Sequence, residues 1–295
     1  MTARPFRPRR SVLYVPASND RALAKLARLD CDAVILDLED AVAPDDKAAA
    51  RERLRDLFAE ARPGCETVVR INALSSAWGT EDLLAARGMR PDAILLPKVE
   101  SARDIADAAE ALDETDAPAG LRLWAMVETP RAVLRLDDLA EHAREPHSRL
   151  DCLVAGTNDL VKDTGIEPGP DRRHLVPWLM QIVLAARAGG LDALDGVSND
   201  FRDTAAFAAE CAAGRAMGFD GKTLIHPAQI APANAAFAPS QSALAEARAV
   251  VEAFAGPHNA GRGVVVLEGR MVERLHLEQA ERLLAKAARI AEAGS

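Results

Sequence analysis

Two apolar runs each deliver one carboxylate: LRLWAMVET, residues 121–129, carries Glu128, and CLVAGTNDL, residues 152–160, carries Asp159. If both runs are strands, the two groups stand one βα unit apart at one mouth of a barrel and offer hard oxygen ligands to a divalent cation. Two carboxylates leave the remaining positions to water and a chelating substrate, which suits octahedral Mg2+ far better than Zn2+. Glu39 and Asp40, at the end of the run 33–39, are placed to hold metal-bound waters from behind the ligands. Arg70 ends another apolar run, and a guanidinium there must meet an anion, because burying it unpaired is very costly. Such a site would take a 2-oxo or 2-hydroxy acid, with Arg70 stabilising an enolate or alkoxide.

Plainer roles stand beside these. Asp40 and Asp159 could cap the helices that follow them. Lys98 could be a rim residue whose stem lies along apolar surface. His226, just before Pro227, reads more readily as a hydrogen-bonded core histidine than as a catalytic group.

The elements that must position these residues are legible as an alternation. Apolar runs at 11–17, 33–39, 67–72, 93–98, 122–128, 152–158, 191–197 and 222–226 read as strands. Stretches at 21–29, 48–61, 81–87, 102–112, 131–143, 174–188 and 204–217 read as the helices between them. Strands that are apolar on both faces and alternate with helices predict a parallel sheet with right-handed crossovers. Eight such units predict a (β/α)8 TIM barrel, for which about 250 residues is typical. A doubly wound open sheet would place a glycine-rich turn after its first strand, and here that turn is PASND, with no GxGxxG. Residues 1–239 are therefore assigned to the barrel and 240–295 to a C-terminal helical lid extension. In it a helix at 240–255 precedes the glycine-rich link GPHNAGRG, a hairpin VVVLEGRMVE turning at Glu268 and Gly269, and a last helix at 276–291. The extension is not needed to close a barrel and is expected to lie over the barrel mouth or a neighbouring subunit.

Composition narrows the partners. A net charge of -9 argues against a nucleic-acid surface, while leaving room for a local basic patch that binds a phosphorylated ligand. No apolar run approaches the roughly 20 residues that span a bilayer, so no membrane insertion is expected. The opening MTARPFRPRR is basic but leads into no apolar signal segment. The four cysteines, Cys31, Cys65, Cys152 and Cys211, are widely spaced without a CxxC pair, which predicts reduced thiols in the cytoplasm.

Taken in order, RRSVLYVPAS, ILDLEDAV, VVRINAL, LLPKVES, VETP, GTNDL, KTLIHPAQI and GRMVE resemble the HpcH/HpaI aldolase and citrate lyase β-subunit family across nearly the whole chain. With its C-terminal segment the chain is similar to the stand-alone coenzyme A ester lyases of that family. The resemblance implies retro-Claisen cleavage of a 3-hydroxyacyl-CoA, of malyl, citramalyl or citryl type, to an acyl-CoA and a 2-oxo acid. It implies Mg2+ on Glu128 and Asp159, and Arg70 beside the thioester enolate. It offers Arg10, Lys25 and Lys98 as binders of the coenzyme A phosphates, and a homo-oligomer, trimer or hexamer. The chain departs from the family in its tail, where Glu273 stands at the position of an acid/base aspartate. One extra methylene moves that carboxylate by about 1 Å or more, against a proton-transfer reach of about 2.6 to 3.2 Å. Other readings are a malyl-CoA thioesterase using the same site, a citrate lyase β-subunit acting within a complex, and a CoA-independent aldolase on small hydroxy-oxo acids.

Overall fold

Eight parallel strands close on themselves in sequence order, the last pairing with the first. They are β1 (Ser11–Pro16), β2 (Ala33–Asp37), β3 (Glu66–Arg70), β4 (Ala93–Leu96), β5 (Arg122–Val127), β6 (Leu150–Ala155), β7 (Asp192–Asp195) and β8 (Gly221–Leu224). The computed structural model describes residues 7–60, 62–256, 259 and 261–293. The end of the helix expected at 48–61 and residues 257, 258 and 260 of the glycine-rich link lie outside the described residues.

Helices follow the strands, as the (β/α)8 pattern requires: α1 (Asp20–Leu23), α2 (Lys47–Glu60), α3 (Gly79–Met89), α4 (Ala102–Glu114), α5 (Pro130–Leu134), α6 (Leu136–Ala143), α7 (Thr157–Thr164), α8 (Val176–Gly189), α9 (Thr204–Met217) and α10 (Ile230–Phe237). Three differences from the sequence reading matter. The helix expected at 131–143 is two helices, broken at Arg135, whose φ of -123° leaves the helical region. The strand expected at 152–158 ends at Ala155, and Thr157 already opens α7. Every expected strand overshoots, by one residue at β1 (17 against 16) and by three at β6 (158 against 155). At the mouth the chain leaves the hydrogen-bonded ladder while its residues are still buried, so an apolar pattern cannot mark the end.

Side-chain alternation sorts the strands into two layers. Val12, Ile35, Val68, Leu95, Trp124, Met126 and Val154 point into the barrel and pack on one another. Their neighbours, such as Val34, Val69, Leu123, Ala125 and Leu153, point outward and pack under the helices. Followed to the mouth, the inward series continues through Asp37, Arg70 and Glu128. The opposite end is closed by Arg9, which forks onto Glu66 at 2.7 and 2.8 Å, reaches Asp151 and Asp192 at 2.6 Å, and lies 4.6 Å from the Trp124 ring centroid. Burial in this floor pushes the Asp192 carboxyl up to about 6, against the pull of Arg9.

The chain divides into two compact units, Arg9–Phe237 and the segment from Ala238 on. The second contains α11 (Gln241–Ala255), the antiparallel pair β9 (Val264–Leu267) and β10 (Arg270–Glu273), and α12 (Arg274–Ala293). Its own core joins Val250, Phe254, Val265, Val272 and Ala280. The hairpin turns at Glu268 and Gly269, both left-handed at φ 50° and 79°, the backbone that a tight two-residue hairpin needs.

Candidate active site

Glu128 is the residue after β5, kept in the inward series of Trp124 and Met126, and it is fully buried. One oxygen, Oε1, accepts the Lys98 backbone N–H at 2.7 Å. The other, Oε2, is buried without a hydrogen-bond donor and has the Lys98 ammonium at 3.4 Å. Gly156 presses on this side chain: a Cβ there would lie 2.3 Å from Glu128 Cβ and 2.9 Å from Oε2. Asp159 sits in the first turn of α7, where the helix N-terminus favours a negative charge. Its Oδ1 is 2.8 Å from the Lys98 ammonium. Burial pushes the Glu128 carboxyl up despite Lys98. At Asp159 burial works the same way, but the hydrogen bond and charge of Lys98 overcome it and hold the group below the usual carboxylate value.

Arg70 ends β3 opposite Asp37, its register partner on β2. The pair is bidentate, with Nε to Oδ1 at 2.7 Å and Nη2 to Oδ2 at 2.6 Å, and Nη1 lies 2.8 Å from Glu39 Oε2. Its Cζ lies 5.0 Å from the Tyr14 ring centroid, so one face of the cation rests on an aromatic. The anion that the sequence demanded for Arg70 is thus supplied by the chain itself. Asp37, at the end of the second strand, faces inward beside Arg70, and that place in the strand's alternation was the signal available in the sequence. Burial pushes the Glu39 carboxyl up to about 8, opposed by Arg70 and helped by the charges of Glu128 and Asp40. Asp40 is more exposed and 3.7 Å from Arg70. The Lys47 ammonium donates to the Leu38 and Glu39 carbonyls at 3.0 Å, pinning the loop that presents these acids.

Of these groups Asp37, Asp40, Arg70, Gly156 and Asp159 line a cavity of about 360 Å³ at the C-terminal mouth, together with Tyr14, Met126, Thr157 and Thr223. Among the described residues no three His, Cys, Asp or Glu side chains cluster as a metal cage. A two-carboxylate set whose buried Glu128 Oε2 lacks a donor fits a hard cation that takes its other ligands from water and substrate.

Not every residue singled out from the sequence reaches this mouth. Arg10 precedes β1 at the opposite end of the barrel, where its Nε and Nη2 hold Asp32 at 2.8 and 2.7 Å. Lys25 is exposed just after α1. Lys98 is at the mouth, but its ammonium faces the two carboxylates. His226 is half-buried and hydrogen-bonded rather than core: its Nδ1 accepts the Ala228 N–H at 3.1 Å and its ring stacks on Phe201 at 4.2 Å. Glu273 ends β10 in the second unit and is exposed, its backbone N–H donating to His276 Nδ1 at 2.9 Å.

A closed (β/α)8 barrel with acids and a guanidinium gathered at the C-terminal ends of its strands is the architecture of a barrel enzyme. The chain belongs to the HpcH/HpaI aldolase/citrate lyase family, whose model matches residues 10–227. It is 45% identical over 289 residues to a (3S)-malyl-CoA thioesterase of Cereibacter sphaeroides, covering 98% of each chain. It is 35% identical to the citrate lyase subunit beta of Escherichia coli over 96% of this chain and 95% of that one. Among solved structures, protein CitE from Mycobacterium tuberculosis in complex with magnesium, acetoacetate and coenzyme A matches with a TM-score of 0.73 and 34% identity, covering 94% of this chain and 97% of that one.

Proposed function

We propose that the protein is a Mg2+-dependent lyase that splits a 3-hydroxyacyl-CoA of malyl, citramalyl or citryl type into an acyl-CoA and a 2-oxo acid. The observation that carries this reading is a cavity lined by Asp159 and a buried, anchored Arg70, with Glu128 sharing the Lys98 ammonium with Asp159. The magnesium, acetoacetate and coenzyme A in the Mycobacterium tuberculosis relative support it.

Glu128 and Asp159 would hold the cation. When bound, Mg2+ supplies a Lewis acid toward the carboxylate and hydroxyl oxygens of the 3-hydroxy acid. Asp37 fixes the guanidinium of Arg70, so that its charge is in place where the thioester oxygen becomes negative as the carbon–carbon bond breaks. Asp40 takes the hydroxyl proton through water, Glu39, whose burial favours its protonated form, helps to hold that water, and Glu273 returns a proton to the enolate carbon. Atoms balance without an oxidant: the hydroxyl carbon leaves as the 2-oxo acid and the enolate leaves as the acyl-CoA. Lys25 is the candidate for the coenzyme A phosphates that the structure leaves exposed, and Arg10, held by Asp32, is not.

A second reading, hydrolysis of the thioester with water as acceptor, is favoured by the 45% identity to a malyl-CoA thioesterase. Incubation with malyl-CoA and Mg2+ separates them: acetyl-CoA with glyoxylate means cleavage, free CoA with intact malate means hydrolysis. Glu128→Ala and Asp159→Ala should abolish either activity while the chain stays folded by circular dichroism. Full activity in either variant would sink the metal assignment. We also infer a homo-oligomer, trimer or hexamer, supported by apolar side chains exposed on the hairpin, with Val266 and Met271 each 71% accessible. The four free thiols support a cytoplasmic setting.

A further inference from the structure

Lys98 lies two residues past β4, whose inward residues are Ala93 and Leu95. Simple alternation would turn its side chain away from the barrel axis. Instead its φ is 52°, in the left-handed region that a residue bearing a Cβ adopts only at a cost. That conformation is accompanied by two contacts with the same partner. The Lys98 N–H donates to Glu128 Oε1 at 2.7 Å, and its ammonium lies 3.4 Å from Glu128 Oε2. The same ammonium is 2.8 Å from Asp159 Oδ1. Lys162 approaches Asp159 only to 3.8 Å from an exposed position. One ammonium therefore serves both carboxylates, and one of them is fully buried.

We propose that Lys98 is an exchangeable counter-ion of the Glu128–Asp159 pair: its ammonium and the divalent cation compete for the same oxygens, so metal binding releases the lysine. This rests on the reading of Glu128 and Asp159 as the metal pair. Mg2+ sits about 2.0–2.1 Å from its ligands, and an ammonium held on the same two carboxylates would meet strong like-charge repulsion across a poorly screened gap. The Lys98 side chain is 34% accessible, so it has solvent to move into. Without a cation, the two carboxylates would repel one another in a partly buried site. Lys98 thus holds the pair together and sets how tightly Mg2+ binds. It is a positioning residue, and phosphate recognition is not its task.

The test is Mg2+ titration by calorimetry on the wild-type chain, Lys98→Met and Glu128→Gln, with amine labelling of the wild type read by mass spectrometry. Removing the competitor should tighten the Lys98→Met Kd about tenfold. Saturating Mg2+ should raise acetylation of Lys98 several-fold relative to the exposed Lys25. The labelling arm uses the wild type and stands even if the variant fails to fold. Unchanged or weaker Mg2+ binding in a folded Lys98→Met, or Lys98 labelling indifferent to Mg2+, overturns the exchange. If Glu128→Gln leaves the Mg2+ Kd unchanged, the metal pair itself is wrong, which is a separate failure.

Discussion

Arg70 joins stability to the proposed chemistry in one side chain: Asp37 and Glu39 are buried against it. Truncation to Met would leave both carboxylates without their cation, so Arg70→Met should lose about 3–5 kcal/mol in urea melts and all turnover. Arg70→Lys keeps a charge but cannot fork onto Asp37, and kcat should fall about 100-fold or more with a smaller stability loss. If both variants were equally destabilised but turned over normally per folded molecule, Arg70 would be structural only. Neither Arg70 nor Lys98 could be understood from its own position in the chain. Arg70 was readable as a cation needing an anion, yet which anion depended on the register that sets Asp37 opposite it.

The turn from β6 into α7 places Gly156 against Glu128. Because an added Cβ would collide with Glu128 at 2.3 Å, Gly156→Ala should displace the carboxylate and cost about 100-fold in kcat/KM. Gly88 in α3 makes the control, since nothing lies within 4 Å of its added Cβ. Gly88→Ala should raise stability by about 0.5–1 kcal/mol with unchanged kinetics. At the barrel floor, Asp192 is held protonated up to about pH 6, above an unfolded value near 3.9. The folded state therefore binds the extra proton between those values, and this contribution is full below the lower value and lost as pH rises through the higher. Thermal melts at pH 5 and pH 8 should accordingly show a smaller loss of stability for Asp192→Asn than for the wild type. Equal losses would remove Asp192 as the group responsible.

Across the whole molecule, the proposed metal pair and Arg70 belong to the unit Arg9–Phe237, and Glu273 belongs to the other compact unit. Exposed Val266 and Met271 are the residues whose burial an oligomer would favour. In sedimentation the wild type should run as a trimer or hexamer, and Val266→Asp with Met271→Asp should shift it toward monomer. A monomeric wild type would refute the assembly. Glu273→Gln should lower turnover while leaving the Mg2+ Kd unchanged, because the proposed cation ligands lie in the other unit. A changed Kd would tie Glu273 to the metal instead.

The sequence by itself determined the eight-unit alternation, the hairpin turn at Glu268 and Gly269, and the identity of the acids that end the strands. These are local properties: side-chain period, turn chemistry and residue identity are written along the chain, whereas the exact strand ends are not. Only the tertiary structure decided that Asp37 anchors Arg70, that Lys98 turns onto Glu128 and Asp159, and that Arg10 is spent on Asp32 at the far end. Those outcomes depend on the register between strands and on one left-handed residue, and neither is encoded in the spacing of residues along a single run.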